Sequence, residues 1–170
     1  MDSAPTQIAN GLIVGKGVAE WVATVIGGHH DLSQCEGIGY ARGGNIVMGA
    51  MFNNYNGAQI HMHIALTRGV PFSPTFVAAI MDYPFVQLGL KRVTGMIFES
   101  NTASRRFAEH LGAKQEVILQ DYLPHGNLVV YGLFRKDAQK WLTASYSQRL
   151  RAGGPNGRNL QRQPIATAGA

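Results

Sequence analysis

Cysteine is nearly absent from this chain: Cys35 is the only one among 170 residues. No intrachain disulfide can form, so a small scaffold stapled by disulfides is excluded and a reducing compartment fits. Acidic residues are missing from one end, because no Asp or Glu lies beyond Thr143 while Arg149, Arg151, Arg158 and Arg162 do. Much of the formal net charge of +5 therefore belongs to that end, and the rest of the chain is nearly neutral. A polyanion such as nucleic acid would meet the tail, non-specifically, and not the body. Long apolar runs are also missing: no segment approaches ~18 uninterrupted apolar residues, the length that spans a bilayer. The beginning of the chain, with Asp2, Pro5, Gln7 and Asn10, lacks a basic start followed by an apolar stretch. The expectation is a protein without membrane contact, soluble and cytoplasmic.

What is present is a globular composition, 45% hydrophobic and 15% charged, enough apolar surface to offset the entropy of ordering one domain. The expected division is a folded domain over residues 1–142 and a basic Gly/Arg/Gln-rich tail over 143–170. Val18, Trp21, Val22, Val25 and Ile26 recur at helical spacing before Gly27-Gly28, which predicts a short amphipathic helix over 17–26. Three apolar runs follow, at 37–41, 46–52 and 59–66. The breaks between them are rich in Asn and Gly, which tolerate positive φ, so an antiparallel meander is expected. Ser73 is a predicted N-cap, with Pro74 at the first helical position and Phe76, Val77, Ile80 and Met81 as the inner stripe. Residues 92–98 read as a strand. Ser104, Phe107, Ala108 and Leu111 form the stripe of another helix closed by Gly112, and residues 115–122 and 128–134 form two final strands joined near Pro124-His125-Gly126. A right-handed crossover would make the strands near Ile64 and Val93 parallel. The predicted fold class is α/β (α+β): a mixed central sheet flanked by helices.

The segment 63–134 carries Asp82-Tyr83-Pro84-Phe85, then Leu88-Gly89-Leu90-Lys91-Arg92-Val93, then Asn101 and Ser104, then His110-Leu111-Gly112-Ala113. In this order and spacing it resembles the GCN5-related N-acetyltransferase (GNAT) superfamily, especially its ribosomal-protein N-terminal and small-molecule branch. The Tyr-Pro-Phe helix end followed by Gln-Leu-Gly is similar to phage and prophage GNAT-like proteins. The resemblance implies a single GNAT-like domain with splayed central strands. It also implies an acetyl-CoA-dependent transfer of acetyl to an amine, either a protein N-terminus or a small molecule. By resemblance the cofactor-binding positions are Leu66, Arg68, Gly69, Val70, Phe72, Ser73, Asn101 and Ser104. The Leu66 amide would steady an oxyanion and the Ser104 hydroxyl would protonate the departing thiolate.

Two departures from the family pattern stand out. Pro71 occupies a glycine position of the cofactor loop, and Pro71 and Pro74 contribute no amide hydrogen there. Ala108 stands where many relatives have a tyrosine, so Ser104, or Tyr131 from a neighbouring strand, must supply the acid. His63, alternating with His61 on one strand face, is a candidate base, and Glu99 at a strand end is a candidate to attract or deprotonate the amine. A metal is not expected, since the His61/His63 pair lacks a third ligand nearby and His29-His30 falls in a distant loop. The alternative reading is a catalytically degenerate structural component of a larger assembly such as a phage virion, with its tail contacting protein partners. A homo-oligomer stays open.

Overall fold

The computed structural model describes residues 10–124 and 126–143. The expected tail beyond Thr143, and His125, therefore lie outside the described residues. The elements in chain order are β1 (Gly11–Val14), α1 (Lys16–Ile26), β2 (Glu36–Arg42), β3 (Asn45–Asn53), β4 (Gln59–Leu66), α2 (Pro74–Asp82), β5 (Arg92–Phe98), α3 (Thr102–Leu111), β6 (Lys114–Leu123), β7 (Gly126–Phe134) and α4 (Gln139–Leu142). The sheet runs in the order β1-β2-β3-β4-β5-β7-β6, with β4 and β5 parallel and every other pair antiparallel.

The meander and its turns form as their chemistry requires. Gly43 and Gly44 both adopt positive φ, 60° and 79°, beneath the closing pair Arg42↔Asn45, which matches the right-handed twist of the flanking strands. Ser73 caps α2 by accepting from the Phe76 amide at 3.3 Å, with Pro74 at the first turn. Beyond Asp82 this helix widens into a π turn over Tyr83–Gln87, which ends before Gly89 at φ 65°. Sequence periodicity did not reveal β1 or α4, because four residues are too few to establish a period.

Two apolar layers sandwich the sheet. On one face Phe76 of α2 clusters with Phe52, Ile60, Phe85, Val93 and Leu133, and Phe107 of α3 packs against the same cluster. On the other face Val18, Ala19 and Val22 of α1 pack on Met51 and Ala65. Glycines set that second distance: a Cβ at Gly37 would lie 2.6 Å from both the Ala19 nitrogen and the Gly15 oxygen, so α1 rests directly on the strand backbone. Trp141 of α4 donates to the Leu111 carbonyl at 2.9 Å, pinning the end of α3.

Candidate active site

β4 and β5 pair only at Gln59↔Arg92, Ile60↔Val93 and His61↔Thr94. Both strands continue, β4 to Leu66 and β5 to Phe98, without further pairing to each other. Between them opens a cleft of about 700 Å³, within the range of small-molecule sites. The Thr67 amide donates to the Val47 carbonyl at 2.9 Å, so by the alternation of an antiparallel ladder the amides of Met62, Ile64 and Leu66 turn away from β3. They face the cleft as an unpaired strand edge.

The cleft opens on both faces of the sheet. Ile60, Met62 and Ile64 belong to the face of α2 and α3, whereas Ala65, and by alternation His61 and His63, belong to the face of α1. At the first mouth stand Asn101, Ser104, Phe107 and Ala108; at the second, Val25 and Ile26 of α1, the turn through His29 and His30, and His63. Leu66, His63, Asn101, Ser104 and Tyr131, all singled out in the sequence, thus come together.

Asn101 is the N-cap of α3, its Oδ1 accepting from the Ser104 amide at 3.1 Å. Ser104 is half-buried in the first turn, and its hydroxyl makes no hydrogen bond among the described residues. Tyr131 is buried, and its hydroxyl donates to Glu109 Oε1 at 3.0 Å while accepting from Arg105 Nε at 3.1 Å. Arg105 also donates to the Glu99 carbonyl and to Gln115 Oε1, both at 3.2 Å. This anchor leaves no local signal in the sequence, since its partners lie on a different helix turn, a strand end and two other strands.

His63 is half-buried, and its ring shares a hydrogen bond of 3.2 Å with Asn53 Oδ1. Burial, with the positive charge that His30 and His61 would carry close by, pushes its pKa down to about 4. It is neutral at pH 7 and a weak base. The His29-His30 turn is not distant, contrary to the sequence expectation: the His30 and His63 rings meet at 5.4 Å in an edge-to-face contact, and the His30 ring also bonds the Gly27 carbonyl at 3.0 Å. Burial likewise lowers the pKa of His61. Among the described residues no group of three His, Cys, Asp or Glu could hold a metal ion.

Glu99 stands apart from this convergence: its carboxylate accepts from Asn127 Nδ2 at 2.7 Å and does not line the cleft. The loop expected from the sequence to bind the cofactor follows Leu66 directly but lies beyond the cleft lining. Gly69 has φ 81°, and the Val70 amide donates to the Thr67 carbonyl at 3.2 Å, which removes it from the available donors. The amides of Gly69, Phe72, Ser73 and Thr75 make no hydrogen bond among the described residues, and Arg68 is exposed beside them. Phe72 is not in the cleft lining, but its ring lies 4.4 Å from that of Phe107, which is.

Comparison with known proteins finds no matching family model and no matching curated protein. Solved structures do match. A spermidine/spermine N-acetyltransferase SpeG from Vibrio cholerae superposes with a TM-score of 0.61 at 12% identity, over 76% of this chain and 96% of that one. A chimera of the Vibrio cholerae spermidine N-acetyltransferase gives 0.60 at 13% identity, over 78% and 99%. A GNAT-family acetyltransferase from Bacillus anthracis gives 0.52 at 16% identity, over 61% and 67%. At such identities the likeness concerns the fold and not the chemistry. With its seven-stranded mixed sheet, one parallel pair and the splay beside it, this chain has the GNAT fold.

Proposed function

We propose that the chain is an acetyl-CoA-dependent N-acetyltransferase acting on an amine. The observation that carries this reading is the unpaired edge of β4, where the amides of Met62, Ile64 and Leu66 face a cleft open at both ends. Such an edge fits a pantetheine arm, whose own amides can complete the interrupted ladder. The bound cofactor would supply the acetyl group and a thiolate leaving group. In this reading the Leu66 amide faces the carbonyl oxygen as it gains charge, a preorganised donor that needs no rearrangement during reaction.

The roles of the remaining residues follow from position. Arg68 and the amides of Gly69, Phe72, Ser73 and Thr75 form the pyrophosphate cradle at the start of α2, thinner than usual because Pro71 and Pro74 have no N–H and Val70 is occupied. Ser104, whose hydroxyl is uncommitted among the described residues, is the proton donor to the thiolate. Tyr131 orders the cleft wall and is not the acid, because its proton is held by Glu109. Asn101 acts by fixing the start of α3. Glu99 acts as a strand-end anchor through Asn127 and not on the amine.

Titration calorimetry with acetyl-CoA tests the reading: the expected dissociation constant lies between about 1 µM and 1 mM, the range of enzyme substrates. No heat at millimolar acetyl-CoA would abandon it in favour of a catalytically silent GNAT-fold component of an assembly. The Phe72–Phe107 stack at the cofactor mouth is the feature that favours this second reading.

A further inference from the structure

The chemistry of the cleft's second mouth narrows the acceptor. We propose that the acceptor is an aromatic amine that enters uncharged, and not a polyamine; the inference rests on the acetyltransferase reading above. Among the described residues, no Asp, Glu, Lys or Arg lines the cleft anywhere. An alkylammonium or a polyamine would arrive charged and lose its hydration shell with no carboxylate to replace it, which weakens binding by orders of magnitude. The nearest acidic group that a sequence reading offers, Glu99, is bonded to Asn127 outside the lining. The C-terminal end of α1 does present partial negative charge at this mouth, yet a helix end is worth about fivefold to a cation at the surface and at most about thirtyfold when partly buried, less than the hydration it replaces.

The rim of the second mouth is also apolar. Val25, Ile26 and Phe98 are 51%, 36% and 48% exposed at its rim, and Met96, on the same face of β5 as Thr94, lies behind them. Large apolar side chains left this open, next to the His30–His63 ring pair, offer stacking surface and no ionic partner. His63 fits the same picture, since it is neutral at pH 7 and holds no proton against an amine already uncharged. The balance of the step closes without a strong base. The nitrogen lone pair forms the C–N bond as the C–S bond breaks, one nitrogen proton passes to water at the mouth, and the thiolate takes one from Ser104, itself reprotonated by water. An arylamine and acetyl-CoA thus give an N-aryl acetamide and free CoA.

The test measures acetyl-CoA binding by calorimetry and thiol release with 4-methylaniline and with spermidine as acceptors, on the full chain. We expect kcat/KM for 4-methylaniline to exceed that for spermidine by at least ~100-fold. Phe98→Glu, at an exposed rim position that tolerates a charge, should shrink that ratio at least ~10-fold by supplying the missing anion. Cofactor binding with spermidine preferred, with neither acceptor turned over, or with a ratio that Phe98→Glu leaves unchanged overturns the aromatic acceptor while leaving the acetyltransferase reading in place. No cofactor binding overturns both.

Discussion

Replacing His63 with Gln should flatten the acid side of the stability profile. A histidine whose pKa is about 4 in the folded protein and near 6.5 in the unfolded chain takes up a proton on unfolding throughout that interval. The sign follows directly: stability is full above pH 6.5 and is lost as pH falls toward 4. Integrated from pH 7.5 to pH 5, the linkage comes to about 2 kcal/mol, and to about 3 kcal/mol by pH 4. The groups facing the ring are His30, at 5.4 Å between centroids, and His61, and both add to the penalty if charged. His61, lowered in the same direction, contributes a loss of the same sign that persists in the variant. Urea denaturation of both proteins at pH 7.5, 6, 5 and 4 isolates the His63 contribution as the difference between their profiles. Gln keeps a hydrogen-bonding group near Asn53, so the variant should lose little at pH 7.5 and overtake the wild type relative to that starting point as pH falls. Parallel profiles would refute the reasoning, because they would mean that the ring is solvated well enough to be protonated in place.

Further outcomes follow from single contacts. Ser104→Ala should lower kcat about 10²–10⁴-fold with acetyl-CoA affinity held within a few-fold, whereas Tyr131→Phe should lower kcat less than about tenfold; steady-state kinetics and calorimetry compare them. Asn101→Ala removes the cap on the Ser104 amide and should cost about 1 kcal/mol by chemical denaturation, while Asn101→Asp, which keeps an acceptor, should cost much less. Gly37→Ala drives a methyl to 2.6 Å from backbone atoms of both Ala19 and Gly15, so α1 must lift, at an expected 1–3 kcal/mol or more in the same assay.

The sequence by itself determined the elements whose signals are local. Hydrophobic period, the Ser73-Pro74 start of α2, the Asn101 cap, the paired glycines at 43–44 and the closing Gly112 each act within a few residues, so the meander, three of the helices and the parallel crossover were legible. The family resemblance singled out Leu66, Asn101 and Ser104, which line one cleft, together with Arg68, Gly69, Val70, Phe72 and Ser73, which lie outside its lining. Tertiary structure alone decided what depends on partners far apart in the chain. It brought the His30 turn against His63, tied Arg105 to Tyr131 and Glu99, withdrew Glu99 onto Asn127, and laid Phe72 on Phe107. It also left the lining without a carboxylate among the described residues. The physical reason is the same in each case: a cap or a turn is a bond between near neighbours, whereas the charge and openness of a cleft are set by which side chains two diverging strands leave unpaired.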